Sequence, residues 1–479
     1  MHKLYVLIAI TTSIFILSSM TIDLQNFFNY ANQETPEYIT KDNTGSNIIT
    51  DEGATLGRVL FYDKSLSSNN TIACASCHIQ EFAFGDTSLV SIGVNGTTGR
   101  HSMRLVNNRF MDEEKYFWDE RAANLEKQAT MPIMDHVEMG YSGTNGDADF
   151  NDLIEKLETL PYYQDLFYTA FGETQITENK IQLALAQFVR SIQSFDAPYD
   201  VGRTQVDNDL TPFPNFNNQQ NNGKNLFISP AEFNNQGLRI GGGLGCAGCH
   251  RPPEFDIVPD SKSNGVVFTP GNTMPNGGVD TLVFKSPSLR DVVNQDGQLN
   301  GQLMHTANFV NLMNVLNHYD RINLFPQVQG IADAIDDRLL PNGFPQDLDM
   351  TNQEKNQVIA FLGTLTGSNI YTDEKWSNPF DENGDLEIIN SPLPTSNEEI
   401  EQADINLYPN PVQHTLYLTG ELINTKIEIY NLFGKRIYSA YSQNNEFNVA
   451  LNDIETGMYV LLIKDKSNKV LKSIKINKI

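Results

Sequence analysis

The sequence predicts a mainly α, loop-rich body of two lobes, followed by a small C-terminal β-sandwich. Three observations carry this. The motif Cys-x-x-Cys-His occurs twice, at Cys74, Cys77, His78 and at Cys246, Cys249, His250. Apolar residues recur at helical spacing in long segments between and after the motifs. Beyond about residue 404 the apolar period becomes two, with turn residues between the runs.

The chain has 479 residues, too many for one ordinary core. Its net charge is -26. A chain this acidic is poorly suited to nucleic acid or to an anionic membrane face, so no nucleic-acid partner is expected.

Residues 1–20 read as an export signal. Lys3 supplies the positive flank, Leu4 to Leu17 is an apolar run, and the small residues Ser18 and Ser19 follow. The competing reading is a membrane anchor. The run is shorter than the roughly 20 residues a bilayer span needs.

The first lobe is expected over 36–210 and the second over 211–375. Thr177 is placed to cap a helix that carries Ile181, Leu185, Phe188, Val189 and Ile192 on one face. Thr351 and Glu354 form a capping box ahead of Val358, Ile359, Phe361, Leu362 and Leu365. The Asn- and Gln-rich run from Asn215 to Lys224 reads as a connecting loop. Residues 376–404 read as an exposed acidic linker. In 405–479, Lys426 to Tyr430 and Gly457 to Ile463 alternate as strands do.

The four cysteines are all spent on the two motifs. Cys-x-x-Cys-His is the signature of covalent c-type haem attachment. Two thiols add to the porphyrin's vinyl groups, and the adjacent histidine ligates the iron. A four-cysteine zinc site would have to pair motifs about 170 residues apart and leave both histidines coincidental. A dithiol redox pair would leave the duplication unexplained. Two haems c, one in each of two cytochrome c-like lobes, are therefore expected.

The longer motifs resemble the bacterial di-haem cytochrome c peroxidase family, which includes MauG. They are LGRVLFYDKSLSSNNTIACASCH from Leu56, FWDERAANLEKQATMPIMDHVEMG from Phe117, GCAGCH from Gly245 and FKSPSLRDV from Phe284. The resemblance spans Leu56 to Gly367. The tail resembles the sorting domain read by the type IX secretion machinery, through LYPNP (Leu407 to Pro411), NLFGKRI, TGMYVLLI and the basic end KSIKINKI. This implies export through the periplasm to the cell surface or medium.

The resemblance also implies roles. The haem held by Cys74 and Cys77, with His78 as iron ligand, is the peroxidatic one. Glu138 matches the distal glutamate, a proton carrier in peroxide cleavage; its bland alternative is one of 59 surface acids. Gln128 matches a glutamine beside the same face, and Trp118 matches the tryptophan between the haems. The second haem is held by Cys246, Cys249 and His250. Counting from His305 puts its other iron ligand at Tyr319, as in MauG, with His318 or Met313 as alternatives. In classical members a histidine that blocks the first iron stands where this chain has Val94. An open peroxidatic site is expected, with His101 as a rival ligand. His101 also replaces a family calcium ligand, so calcium is doubtful and its ligands are not carried over.

The expected activity is reduction of hydrogen peroxide with electrons from a small redox protein, a cytochrome c or a cupredoxin. A MauG-like oxidase and a non-enzymatic di-haem electron carrier are the alternatives.

Overall fold

The computed structural model describes residues 21–266, 285–324, 331–393, 405–431, 435–452, 454–466 and 470–479. The expected signal (1–20) and the end of the expected linker (394–404) lie outside them. The chain divides into two compact units, with a boundary between Asn390 and Ser391.

The first unit contains two helix pairs built alike. In one, α1 (Asp51–Tyr62) crosses α3 (Glu178–Ser191), and the short α2 (Leu125–Thr130) also packs on α3. Thr50 caps α1 by accepting the Gly53 amide at 3.0 Å, and Thr177 caps α3 through the Lys180 amide at 3.3 Å. The crossing is close because Gly57 has no side chain. A β-carbon there would lie 2.0 Å from the Ala184 carbonyl oxygen. The apolar faces meet through Leu56, Val59, Leu60, Leu185 and Phe188, all buried.

In the second pair, α4 (Asn218–Ile228) crosses α6 (Asn352–Leu362) at Gly223, whose added β-carbon would lie 1.9 Å from the Gln357 carbonyl oxygen. Phe227, Phe255, Val358 and Phe361 fill the core beside it. The helix α5 (Leu312–Asp320) also packs on α6. The Thr351–Glu354 capping box forms as expected.

The expected loop at Asn215–Lys224 is instead the start of α4. Asn217 and Gln220 cap each other reciprocally, each bond 2.9 Å. The polar composition hides the helix because its inner face consists of Gly223, Lys224 and Phe227. Lys224 is buried and donates to the Asp209 and Thr211 carbonyls.

The domain edges also shift. The first core takes in residues from Ile22 to Ile192, the second from Tyr199 to Leu365, and the chain then returns to the first at Ile370, Trp376 and Phe380. The expected linker therefore starts too early at 376. Trp376 is buried, and its indole N–H donates to Ser191. Arg58 donates to the Ser377 carbonyl at 2.6 Å. Farther on, β1 (Thr21–Asp23) pairs in parallel with β2 (Glu387–Ile389).

A buried ion cluster sits beside the second core, and one hydrogen bond ties it to the first. Arg290, fully buried, donates to Asp200 at 3.0 Å and to the Pro253 carbonyl, while Asn107 donates to Glu254 at 2.9 Å. Replacing Arg290 by methionine strands Asp200 and Glu254 without their cation. We expect a loss of about 3–5 kcal/mol, read as a lower urea midpoint; an unchanged midpoint would contradict this role.

The second unit is all β. Strands β3 (Ile405–Tyr408), β4 (Thr415–Gly420) and β7 (Glu446–Ala450) form one antiparallel sheet in the order β7-β4-β3. Strands β5 (Lys426–Asn431), β6 (Arg436–Tyr441), β8 (Gly457–Lys464) and β9 (Val470–Lys478) form another, in the order β6-β5-β8-β9. Leu416, Leu418 and Val449 from the first sheet share one apolar cluster with Ile427, Ile429, Leu461 and Ile463 from the second. The period of two seen in the sequence is this inward alternation.

Candidate functional site

Each Cys-x-x-Cys-His opens on a single 3-10 turn. Cys74–Ser76 forms the first, and the Cys77 and His78 amides both donate to the Cys74 carbonyl. Cys246–Gly248 forms the second, closed by the Cys249 amide on the Cys246 carbonyl. The turns bring each motif's thiols and imidazole to one wall. The first turn packs against α1 and the second against α4.

Each wall faces its own cavity. The first, of about 410 Å³, is lined by Cys74, Cys77 and His78. The second, of about 460 Å³, is lined by Cys246, Cys249 and His250. Apolar side chains dominate the rest, such as Phe61, Leu105 and Val189 in the first and Phe227, Leu316 and Leu362 in the second.

This donor set fits haem c. Burial pushes the Cys74 and Cys246 thiols up to about 12, and Cys77 and Cys249 to about 11. A redox dithiol needs the reverse shift. No thiol of one motif lines the other motif's cavity, which excludes a shared four-cysteine zinc site. Burial likewise keeps both imidazoles neutral, with His250 down at about 4. His78 Nδ1 lies 3.2 Å from the Phe84 carbonyl oxygen. That contact orients the ring and leaves Nε2 for a metal.

Glu138 and Gln128 both line the first cavity. Gln128 comes from α2, which Asn124 caps through the Lys127 amide. The Val137 and Glu138 amides both bond the Asp135 carboxylate, at 2.8 and 3.0 Å. Burial raises the Glu138 carboxyl to about 7; Asp135 adds to the rise and Arg121 opposes it.

The loop at Val94 braces this segment. Its amide donates to the Glu138 carbonyl at 2.9 Å, and the Asn95 amide to the Val137 carbonyl at 3.2 Å. Gly93 is required because a β-carbon there would lie 2.1 Å from the Val137 carbonyl oxygen. Val94 itself is not among the residues lining the cavity.

Trp118 stands in the wall between the two cavities and lines both. Its indole N–H donates to the His101 carbonyl at 2.7 Å, and its ring centroid is 5.9 Å from that of His305. His101 lines both cavities too, so it belongs to the shared wall rather than to the first cavity alone. Among the described residues, no group of three or more His, Cys, Asp or Glu is arranged to hold a metal ion.

Tyr319, on α5, lines the second cavity. Its alternatives Met313 and His318 do not. The His318 Nε2 is engaged with the Asn264 carbonyl at 2.8 Å. Burial pushes the Tyr319 phenol well up, and the Asn264 amide hydrogen bond opposes this.

Sequence reasoning missed several wall residues. Arg104 and Lys285 line both cavities while nearly buried. Burial lowers them to about 10 and about 8 respectively. Lys285 donates to the Glu113 carbonyl at 2.6 Å, and its own amide donates to the Trp118 carbonyl. Its signal was present: Lys285 is the second residue of FKSPSLRDV. Met304 and Asn264, also in the second cavity, carry no local signal.

Residues 51–207 match the family model described as di-haem cytochrome c peroxidase, and residues 406–477 match the secretion system C-terminal sorting domain. The methylamine utilization protein MauG of Methylophilus methylotrophus is 29% identical, over 67% of this chain and 84% of that one. Cytochrome c551 peroxidase of Nitrosomonas europaea is 28% identical, over 66% and 80%. Among solved structures, a MauG-like protein associated with microbial copper homeostasis matches with 26% identity and TM-score 0.54, over 73% of this chain and 99% of that one.

Proposed function

Starting from a chain that carries a di-haem cytochrome c peroxidase domain and a C-terminal secretion sorting domain, we propose that it reduces hydrogen peroxide at the first cavity. Electrons enter from a small redox protein through the second cavity. The observation that carries this is Glu138, a carboxyl group raised to about 7 in the cavity of the first Cys-x-x-Cys-His.

A haem bound in each cavity would supply a redox-active iron, which His78 would hold in the first and His250 with Tyr319 in the second. The residues do the rest. Glu138, as carboxylate, takes a proton from peroxide and returns it to the departing oxygen. A group titrating near neutral pH suits both halves of that task. Gln128 offers an amide to hydrogen-bond peroxide or Glu138. The Val94 loop braces the Glu138 backbone and carries no histidine, so it would leave a bound first haem accessible to peroxide without reductive activation. Trp118 gives a π-system in the wall shared by both cavities.

Tyr319 favours a second reading, a MauG-like oxidase that uses peroxide to modify a protein or other substrate, because an oxygen donor suits oxidised iron. A pure electron carrier accounts for neither Glu138 nor Gln128. The sorting domain offers the type IX machinery a handle for taking the enzyme from the periplasm to the surface or medium.

Peroxide consumption with a reduced small cytochrome or copper protein as donor tests the reading. Sustained turnover is the expected result. A single stoichiometric reaction without turnover would favour the modifier, and no reaction at all the carrier. The oxidised protein should also give a high-spin signal from the first haem; a low-spin bis-histidine signal there would contradict the open site.

A further inference from the structure

We propose that Asn264 is a positioning residue that selects Tyr319 over Met304 at the second haem, an inference that rests on Tyr319 being the iron ligand. Asn264, Met304 and Tyr319 line the same cavity as His250. The Asn264 Nδ2 lies 3.0 Å from the Tyr319 hydroxyl and 3.4 Å from the Met304 sulfur. Its amide orientation is set by the other end, because Oδ1 accepts the Val266 amide at 3.1 Å. The nitrogen must therefore face the oxygen and the sulfur, donating one hydrogen to each. The backbone of the same residue engages the His318 Nε2 at 2.8 Å. One asparagine side chain thus touches both cavity side chains that are able to bind iron, while its backbone engages His318 outside the cavity.

The two amide bonds are unequal. A thioether is a weak acceptor, whereas a metal-bound phenol oxygen is anionic and gains a charge-assisted hydrogen bond. Asn264 therefore favours the oxygen donor. It also tethers the sulfur of Met304, whose backbone is held at a φ of 66°. Without the amide, the cavity keeps a neutral sulfur donor and loses the group that steadies the oxygen.

The test is the absorption spectrum and reduction potential of the oxidised holoprotein. The wild type should show a phenolate-to-iron charge-transfer band. In Asn264→Leu that band should disappear, a sulfur-to-iron band should replace it, and the reduction potential of this haem should shift upward. Adding Met304→Leu should remove the sulfur band. Asn264→Asp keeps the acceptor for the Val266 amide and the backbone contact to His318, so it guards against loss of folding. Its carboxylate has no hydrogen to donate, and it should also lose the phenolate band. Survival of that band in the Asp variant, or in a folded Leu variant, would overturn the role of Asn264. Its absence from the wild type would instead overturn ligation by Tyr319.

Discussion

Replacing Glu138 by glutamine should slow the reaction of the oxidised protein with hydrogen peroxide by about 10²–10⁴-fold, the usual worth of a positioned proton carrier. Glutamine keeps the size and a hydrogen-bonding tip but cannot take up a proton. Stopped-flow mixing, followed by loss of the ferric absorbance, reads the effect. The pH dependence checks the cause. Burial raises the Glu138 carboxyl to about 7, and the acting form is the carboxylate. The rate should therefore rise with pH through about 7 and level off above it. Two units below, only roughly one per cent of the carboxyl is ionised. Arg121 is the cation that opposes the shift, so Arg121→Gln should move the midpoint to higher pH. In Glu138→Gln the profile should be flat over this range. Equal rates in wild type and variant would remove Glu138 from the mechanism.

Removing the thiols of one motif should halve the covalent haem. Cys246→Ala with Cys249→Ala should leave one haem per chain instead of two, and Cys74→Ala with Cys77→Ala should leave the other one. The reason is geometric: each cavity is lined by its own two cysteines and its own histidine, and by no thiol of the other motif. Haem per chain is measured from the alkaline pyridine spectrum of the denatured protein. Loss of the first pair should also abolish the peroxide reaction, whereas loss of the second should spare its first turnover and stop sustained turnover with a donor. A shared zinc site would behave differently, since either double variant would lose the same ion and neither would change haem content. Each variant also leaves an unfilled apolar cavity, so a lower melting temperature is expected as well.

The two Cys-x-x-Cys-His motifs were legible because their chemistry is local. Two thiols and an imidazole within five residues need only one turn to share a wall, and the Cys74 and Cys246 turns supply it. The Thr177 cap, the Thr351–Glu354 capping box and the alternation in β5 and β8 are equally local, and all of them form. The start of α4 was missed because its buried face holds Gly223, Lys224 and Phe227 rather than an apolar stripe. What makes it a helix is the tight crossing with α6, more than a hundred residues later.

The sequence by itself determined the pairing of two thiols with an imidazole in each motif, the order of the two motifs and the β tail, because each is written within one turn or one strand. Only the tertiary structure decided which residues form the wall between the cavities. Trp118, His101 and Lys285 meet there from separate segments, and Asn264 reaches Met304 and Tyr319 across 40 and 55 residues of chain. It also decided that the chain returns to the first lobe at Trp376. Contacts of this kind depend on which backbones pack closely, and that is set by the whole core rather than by any neighbouring stretch of sequence.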